Sequence, residues 1–246
     1  MNFLTKLVFY WKKPPIVAVC GKEKVLNAQA IYQVLSRYLK IKKFEIEEEV
    51  VFSINSLFQN KAFLVETDLK NPEDLIELFK KSRLPILVIS DVDEIPNSVL
   101  RLVKELPSRG ILILNSDNKI PAEIKSECPA RIFTFGFEET SLFRASDVKL
   151  NDQDAGPLAK DQDSVLGINF KINYKGNIVP VWLTPTPNFG VEFEERCSSL
   201  ASPKGSAVGK EHIYAALTAA AVGTALNLNL VEISQALKAY QGLPKA

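Results

Sequence analysis

Short, unbroken apolar runs recur through the first 136 residues, and most lead into a turn and then a stretch of helical spacing. The runs are Ile16–Cys20 (IVAVC), Ala62–Val65 (AFLV, ending at Glu66), Pro85–Ile89 (PILVI) and Ile111–Leu114 (ILIL), and Arg131–Phe135 (RIFTF) reads as a further strand. A strand that is apolar at every position is buried on both faces, as happens where helices cover both sides of a parallel sheet. Between the runs, Leu26, Ala30, Ile31, Val34, Leu35 and Tyr38 fall at helical spacing within 25–39. Helices are also predicted over 72–81 and 97–106. Pro72 suits an early-turn position, Glu73 and Asp74 suit the positive helix start, and Asn97 or Ser98 suits a cap. Such alternation predicts an α/β fold with a mostly parallel, right-handed sheet.

After Gly136 the texture changes. FRASDVKL (143–150) and GINFKINY (167–174) alternate, and 178–183 follows the turn Lys175-Gly176-Asn177. These segments predict a small antiparallel portion over about 142–184. Residues 151–163 and 184–206 are rich in polar and turn-forming residues and are expected to be loops. Two closing helices are expected at about 209–225 and 230–240.

Composition narrows the function. Of 246 residues, 46% are apolar and 24% charged, which suits a globular chain with a sizeable core. Thirty basic residues against 29 acidic leave a net charge of +1, so no nucleic-acid groove is expected. Cys20, Cys128 and Cys197 lie far apart, and His212 is the single histidine. That excludes the usual spacings of a zinc site and fits reduced thiols, with Cys20 at a buried strand end. No run approaches the roughly 20 apolar residues of a membrane helix. Residues 1–13 (MNFLTKLVFYWKK) form an amphipathic pattern that ends at Pro14-Pro15. It reads either as a helix packed on the domain or as a membrane-surface anchor.

The tail is the most distinctive segment: Val208-Gly209-Lys210-Glu211-His212-Ile213-Tyr214, an alanine-rich helix, a second amphipathic helix and Gln241-Gly242-Leu243-Pro244. It resembles the end of the central ATPase domain of the Mur ligases, which join amino acids to cell-wall precursors. Asn115-Ser116-Asp117-Asn118 resembles that family's Asn-x-Asp-Asp step, and Phe133-Thr134-Phe135-Gly136 follows suit. The resemblance runs from about Pro15 to Pro244 and implies a P-loop-type sheet. In texture it is nearest to the branch that adds D-alanyl-D-alanine.

The same resemblance makes the loop after the first strand unusual. The family carries Gly-x-x-Gly-Lys-Thr-Thr there, where backbone amides and the lysine hold phosphates and a hydroxyl holds Mg²⁺. Here the segment is Gly21-Lys22-Glu23-Lys24-Val25-Leu26-Asn27. Without gaps, Val25 falls at the lysine and Leu26 and Asn27 at the threonines. A one-residue gap restores Lys24 but no hydroxyl. Glu23 also brings negative charge where phosphates would sit. An ordinary strand-to-helix turn and a weakened nucleotide site using Lys22 or Lys24 both remain open.

Elsewhere the resemblance assigns Glu66 as the magnesium-linked glutamate, and so as the candidate catalytic and metal residue. A surface strand-end acid is its structural alternative. It puts Gly21, Lys22, Lys24, Asn27, Asn115, Asp117 and His212 near the nucleotide. His212 stands where the family has Asn, Glu211 where it has His, and Ala215 where it has the adenine-contacting Asn. Asn115 and Asp117 equally suit a turn, and His212 equally suits a helix start. Asp91, Asp93 and Glu94 form an acidic stretch that suits either a cation or solvent. Lys104 is the nearest counterpart of the family's carbamylated lysine.

The implied organisation is an N-terminal amphipathic helix (1–13) and a Mur-ligase-like central domain (14–246), without the family's precursor-binding and amino-acid-binding domains. Three functions follow as expectations. The first is a catalytically reduced, cytoplasmic binding or scaffold module for peptidoglycan synthesis, with ATP and Mg²⁺ binding weak or lost. Cell-wall synthesis proteins or a nucleotide-sugar peptide precursor would be its partners, with peripheral membrane contact through residues 1–13. The second is an active ATP-dependent ligase whose other domains come from another chain. The third is an unrelated small-molecule-binding α/β domain.

Overall fold

The computed structural model describes residues 11–46, 59, 61–68, 72–90, 96–120, 122–151, 167–183 and 207–240. Its strands are β1 (Ile16–Cys20), β2 (Ile41–Ile46), β3 (Ala62–Thr67), β4 (Pro85–Ile89), β5 (Ile111–Asn115), β6 (Arg131–Gly136), β7 (Phe143–Asn151), β8 (Gly167–Tyr174) and β9 (Asn177–Leu183). Its helices are α1 (Lys24–Ser36), α2 (Pro72–Lys81), α3 (Asn97–Lys104), α4 (Ala122–Glu127), α5 (Ala207–Ala225) and α6 (Leu230–Leu237). The nine strands form one sheet in the order β2-β3-β1-β4-β5-β6-β7-β8-β9.

The sheet is parallel from β2 to β6. β7 joins β6 in parallel over two residues only, Phe143 and Arg144, because it starts where β6 stops. β7, β8 and β9 are antiparallel and extend the same sheet. The β8–β9 turn has positive φ at both Lys175 and Gly176, which matches the twist of a tight hairpin.

The apolar runs are explained by two cores. All five residues of β1 are buried. Val17 and Val19 join the core under α1, α5 and α6, whereas Ile16, Ala18 and Cys20 join the one under α2, α3 and α4. The alanines of α5 let it lie close to the sheet, and every residue from Ala215 to Val222 is buried. Beyond β1 the chain passes to α1 on one face. Beyond the neighbouring β3 and β4 it passes to α2 and α3 on the other. The carboxyl end of β1 therefore opens into the crevice where ligands bind in open α/β sheets.

Several expectations differ from what is found. β2 was not anticipated, because Lys42, Lys43 and Glu45 break its apolar pattern and it lies at the sheet edge. α4 has six residues, too few for a periodic signal. α3 is capped by neither Asn97 nor Ser98: Pro96 holds the cap position, no side chain bonds there, and the helix ends at Lys104. Trp11 and Lys12 are helical and exposed. Residues 1–10 of the N-terminal pattern, the acidic stretch at 91–95, the segments at 152–166 and 184–206 and the Gly-Leu-Pro stop lie outside the described residues. Among the described residues, no helix is long and apolar enough to cross a membrane.

Candidate functional site at the carboxyl rim of the sheet

The turn after β1 depends on Gly21, whose φ of 110° is one that residues bearing a Cβ rarely adopt. Its carbonyl accepts the Lys24 N–H at 3.3 Å, so the turn closes on itself. α1 then starts without a side-chain cap and without an acid in its first turn. Lys22 is exposed and Glu23 half-buried. Asn27, one turn into the helix, is fully buried. Its Nδ2 donates to the Glu23 carbonyl at 2.7 Å, and its Oδ1 has no donor among the described residues.

Two ion pairs dominate the rim beside this turn. Glu66, 5% exposed near the end of β3, lies in register with Val19 of β1 and Glu45 of β2. Lys43 of β2 is in register with Leu64, so it shares the α1 face with Glu66, and its Nζ reaches Glu66 Oε1 at 2.6 Å. Lys24 pairs with Asp68, just beyond β3. A buried carboxylate without a partner is strongly unfavourable, and the Lys43 ammonium supplies the missing charge. The four charges cancel, so an incoming polyphosphate would compete with carboxylates already in contact with both lysines.

The carboxyl ends of β1, β4 and β5 are laced together. Ser90 donates its N–H and its hydroxyl to the Cys20 carbonyl, each at 3.3 Å, and Asn118 Nδ2 donates to the Ser90 carbonyl at 3.4 Å. Cys20 donates its thiol to the Val88 carbonyl at 3.3 Å. Burial pushes that thiol up to about 12, against the opposite pull of Lys24. A thiol in this state is a small packed group rather than a nucleophile.

Asn115 and Asp117 lie two strands from β1, and their side chains are engaged in internal bonds. Asn115 Oδ1 accepts the Asp117 N–H at 3.0 Å. The Asp117 carboxylate accepts the Phe137 N–H at 2.8 and 3.0 Å, the Glu138 N–H at 3.1 Å and the Tyr214 hydroxyl at 2.9 Å. One side chain thus ties the ends of β5 and β6 to the first half of α5. A Cβ on Gly136 would stand 2.5 Å from Asp117 Oδ1, so this approach requires glycine.

His212 is buried in the first half of α5, with Nδ1 3.4 Å from the Tyr240 hydroxyl. Burial holds its pKa down to about 4, so the ring is neutral near pH 7. Burial, and secondarily Glu23, raise the Tyr240 phenol above its ordinary range. His212 thus serves as a neutral, packed partner of Tyr240. Lys104 lies at the far end of α3, paired with Glu127 at 2.8 Å, and does not approach the rim.

The structure therefore gathers Gly21, Lys22, Lys24, Asn27 and Glu66 at one point of the rim and leaves Asn115, Asp117 and His212 around it. Sequence reasoning missed Lys43 and Asp68. Asp68 had a legible signal, since it follows Glu66 at the strand period of two. Lys43 had none until β2 was recognised. These residues do not fit a magnesium ion. The Glu66 carboxylate already faces an ammonium, and Val25, Leu26 and Asn27 offer no hydroxyl. Among the described residues, no group of three or more His, Cys, Asp and Glu side chains is placed to hold a metal.

No protein-family model matches the chain. Over 86 residues, 35% of this chain and 19% of the relative, it is 27% identical to the UDP-N-acetylmuramate–L-alanine ligase of Clostridium acetobutylicum. Among solved structures it is similar to the UDP-N-acetylmuramoylalanyl-D-glutamyl-2,6-diaminopimelate–D-alanyl-D-alanyl ligase of Acinetobacter baumannii. The TM-score is 0.64 at 15% identity, over 98% of this chain and 50% of that one. MurF of Thermotoga maritima, solved with ADP, gives a TM-score of 0.58 at 11% identity over 94% of this chain and 51% of its own. The chain thus resembles a Mur ligase in part of its sequence and shares the Mur ligase fold. It spans 50% or 51% of the length of these two structures, and 19% of the curated relative is matched.

Proposed function

We propose that the chain is a catalytically reduced Mur-ligase-like central domain that serves as a binding or scaffold module in peptidoglycan-precursor synthesis. The observation that carries this reading is the Lys43–Glu66 pair, which occupies the carboxylate the resemblance links to magnesium. The closed Gly21 turn and the absent hydroxyls support it. The domain would comprise residues 14–246, with residues 1–13 as an amphipathic helix able to touch a membrane surface. Its location would be cytoplasmic. Its partners would be cell-wall synthesis proteins or a nucleotide-sugar peptide precursor. ATP would bind weakly or not at all.

A second reading keeps the ligase active, with its other domains supplied by another chain. Retention of Lys24 and Glu66 at neighbouring points of the rim favours it. Phosphate release distinguishes the two readings when the full chain is given ATP, Mg²⁺, a UDP-muramoyl tripeptide and D-alanyl-D-alanine, with precursor binding followed by calorimetry. The scaffold reading expects precursor binding without nucleotide and no phosphate release above background. Precursor-stimulated release that Glu66→Gln abolishes would establish the enzyme instead.

A further inference from the structure

We propose that Lys43 takes the place of a divalent cation on Glu66, so that this rim is a metal-independent site with a built-in ammonium counter-ion. The inference rests on the reduced-domain reading and gives it a mechanism.

The geometry supports the exchange in three ways. First, the Lys43 Nζ lies 2.6 Å from Glu66 Oε1, an ion pair that sets an ammonium against the oxygen a metal would use. A Mg²⁺ ion on that oxygen, at roughly 2.1 Å, would sit against a like charge. Secondly, the pair is set by the fold. Lys43 stands on β2 in register with Leu64 of β3, two residues before Glu66, and so extends along the α1 face toward it. Thirdly, the neighbouring lysine is matched as well, since Lys24 pairs with Asp68. The rim carries its own cations in equal number to its acids at these positions, leaving no excess negative charge to recruit a metal. Lys43 is 30% exposed, so its ammonium keeps some contact with water while Glu66 is nearly dry. That asymmetry assigns the need for a partner to Glu66.

Removal of Lys43 should therefore take this ammonium from the Glu66 carboxylate and let a metal bind in its place. The test uses the full chain as wild type, Lys43→Gln, Glu66→Gln and the double variant. Melting is followed with and without millimolar MgCl₂ or MnCl₂, and bound Mn²⁺ is counted by electron paramagnetic resonance. Wild type should hold no Mn²⁺ that Glu66→Gln removes. Lys43→Gln should melt about 3–6 °C lower, recover part of that loss in either metal, and lose the recovery in the double variant. Wild-type Mn²⁺ binding that depends on Glu66, an unchanged melting point in Lys43→Gln, or a loss that metal does not restore would each overturn the inference. If Lys43→Gln does not fold, Mn²⁺ binding to wild type against Glu66→Gln decides alone. Phosphate release measured on the same samples keeps the parent reading separate. Glu66-dependent metal binding by wild type without turnover sinks only the exchange, whereas ATP turnover sinks the reduced-domain reading.

Discussion

Asp117→Ala is the substitution whose effect follows most directly from the structure. The carboxylate receives the Phe137 N–H through both oxygens, the Glu138 N–H and the Tyr214 hydroxyl. Glu138 is exposed, and its amide regains water when the acceptor leaves. Phe137 and Tyr214 are partly buried and regain less. Hydrogen bonds to charged groups contribute about 1.5–3 kcal/mol each, so two lost bonds, discounted for partial exposure, come to about 3 kcal/mol. For a chain of this size that lowers the melting point by about 6–12 °C. Urea unfolding should show a lower midpoint with an unchanged slope. The cycle with Gly136→Ala sharpens the test. Alone, the added methyl would stand 2.5 Å from the carboxylate and should cost about 1–3 kcal/mol. With the carboxylate gone, most of that cost disappears, so the double variant should be more stable than the sum of the two losses implies. A loss below about 1 kcal/mol in Asp117→Ala, or strict additivity in the cycle, would refute the hub role.

Two further outcomes follow from buried groups. His212 has a folded-state pKa of about 4, below the unfolded value of 6.5, so the unfolded chain binds the extra proton first. Its contribution is complete above pH 6.5 and is lost as pH falls toward 4, by up to about 3 kcal/mol. His212→Gln should flatten that part of the stability profile. Because His212 is the single histidine, its imidazole resonances report directly, and titration near 6.5 would contradict the burial argument. For Cys20, with its thiol raised to about 12, modification by a disulfide reagent in a Cys128→Ser/Cys197→Ser background should track global unfolding. Rapid labelling in native buffer would show that β1 opens locally.

Legibility followed burial. Ile16–Cys20 and Pro85–Ile89 were evident because two-sided burial leaves no polar residue in the run. β2 escaped notice because an edge strand tolerates lysines and a glutamate, and Lys43 escaped with it. A match to a motif also says nothing of where a side chain's bonds go. Asp117 falls in a nucleotide-linked step by resemblance, yet its oxygens hold two strands and a helix together. Glu66 falls at the expected strand end, but only three-dimensional register brings Lys43 to it. The altered loop itself was plain in Gly21–Asn27, since a missing hydroxyl is a matter of residue type.

Calorimetric titration of the full chain with Mg·ATP measures the strength of the phosphate grip. Two or three lost contacts of about 1–3 kcal/mol each shift a micromolar affinity to millimolar or weaker. The expected result is no saturable heat below millimolar nucleotide, with wild type and Lys24→Ala alike. Micromolar binding of Mg·ATP that Lys24→Ala or Glu66→Ala abolishes would contradict the account.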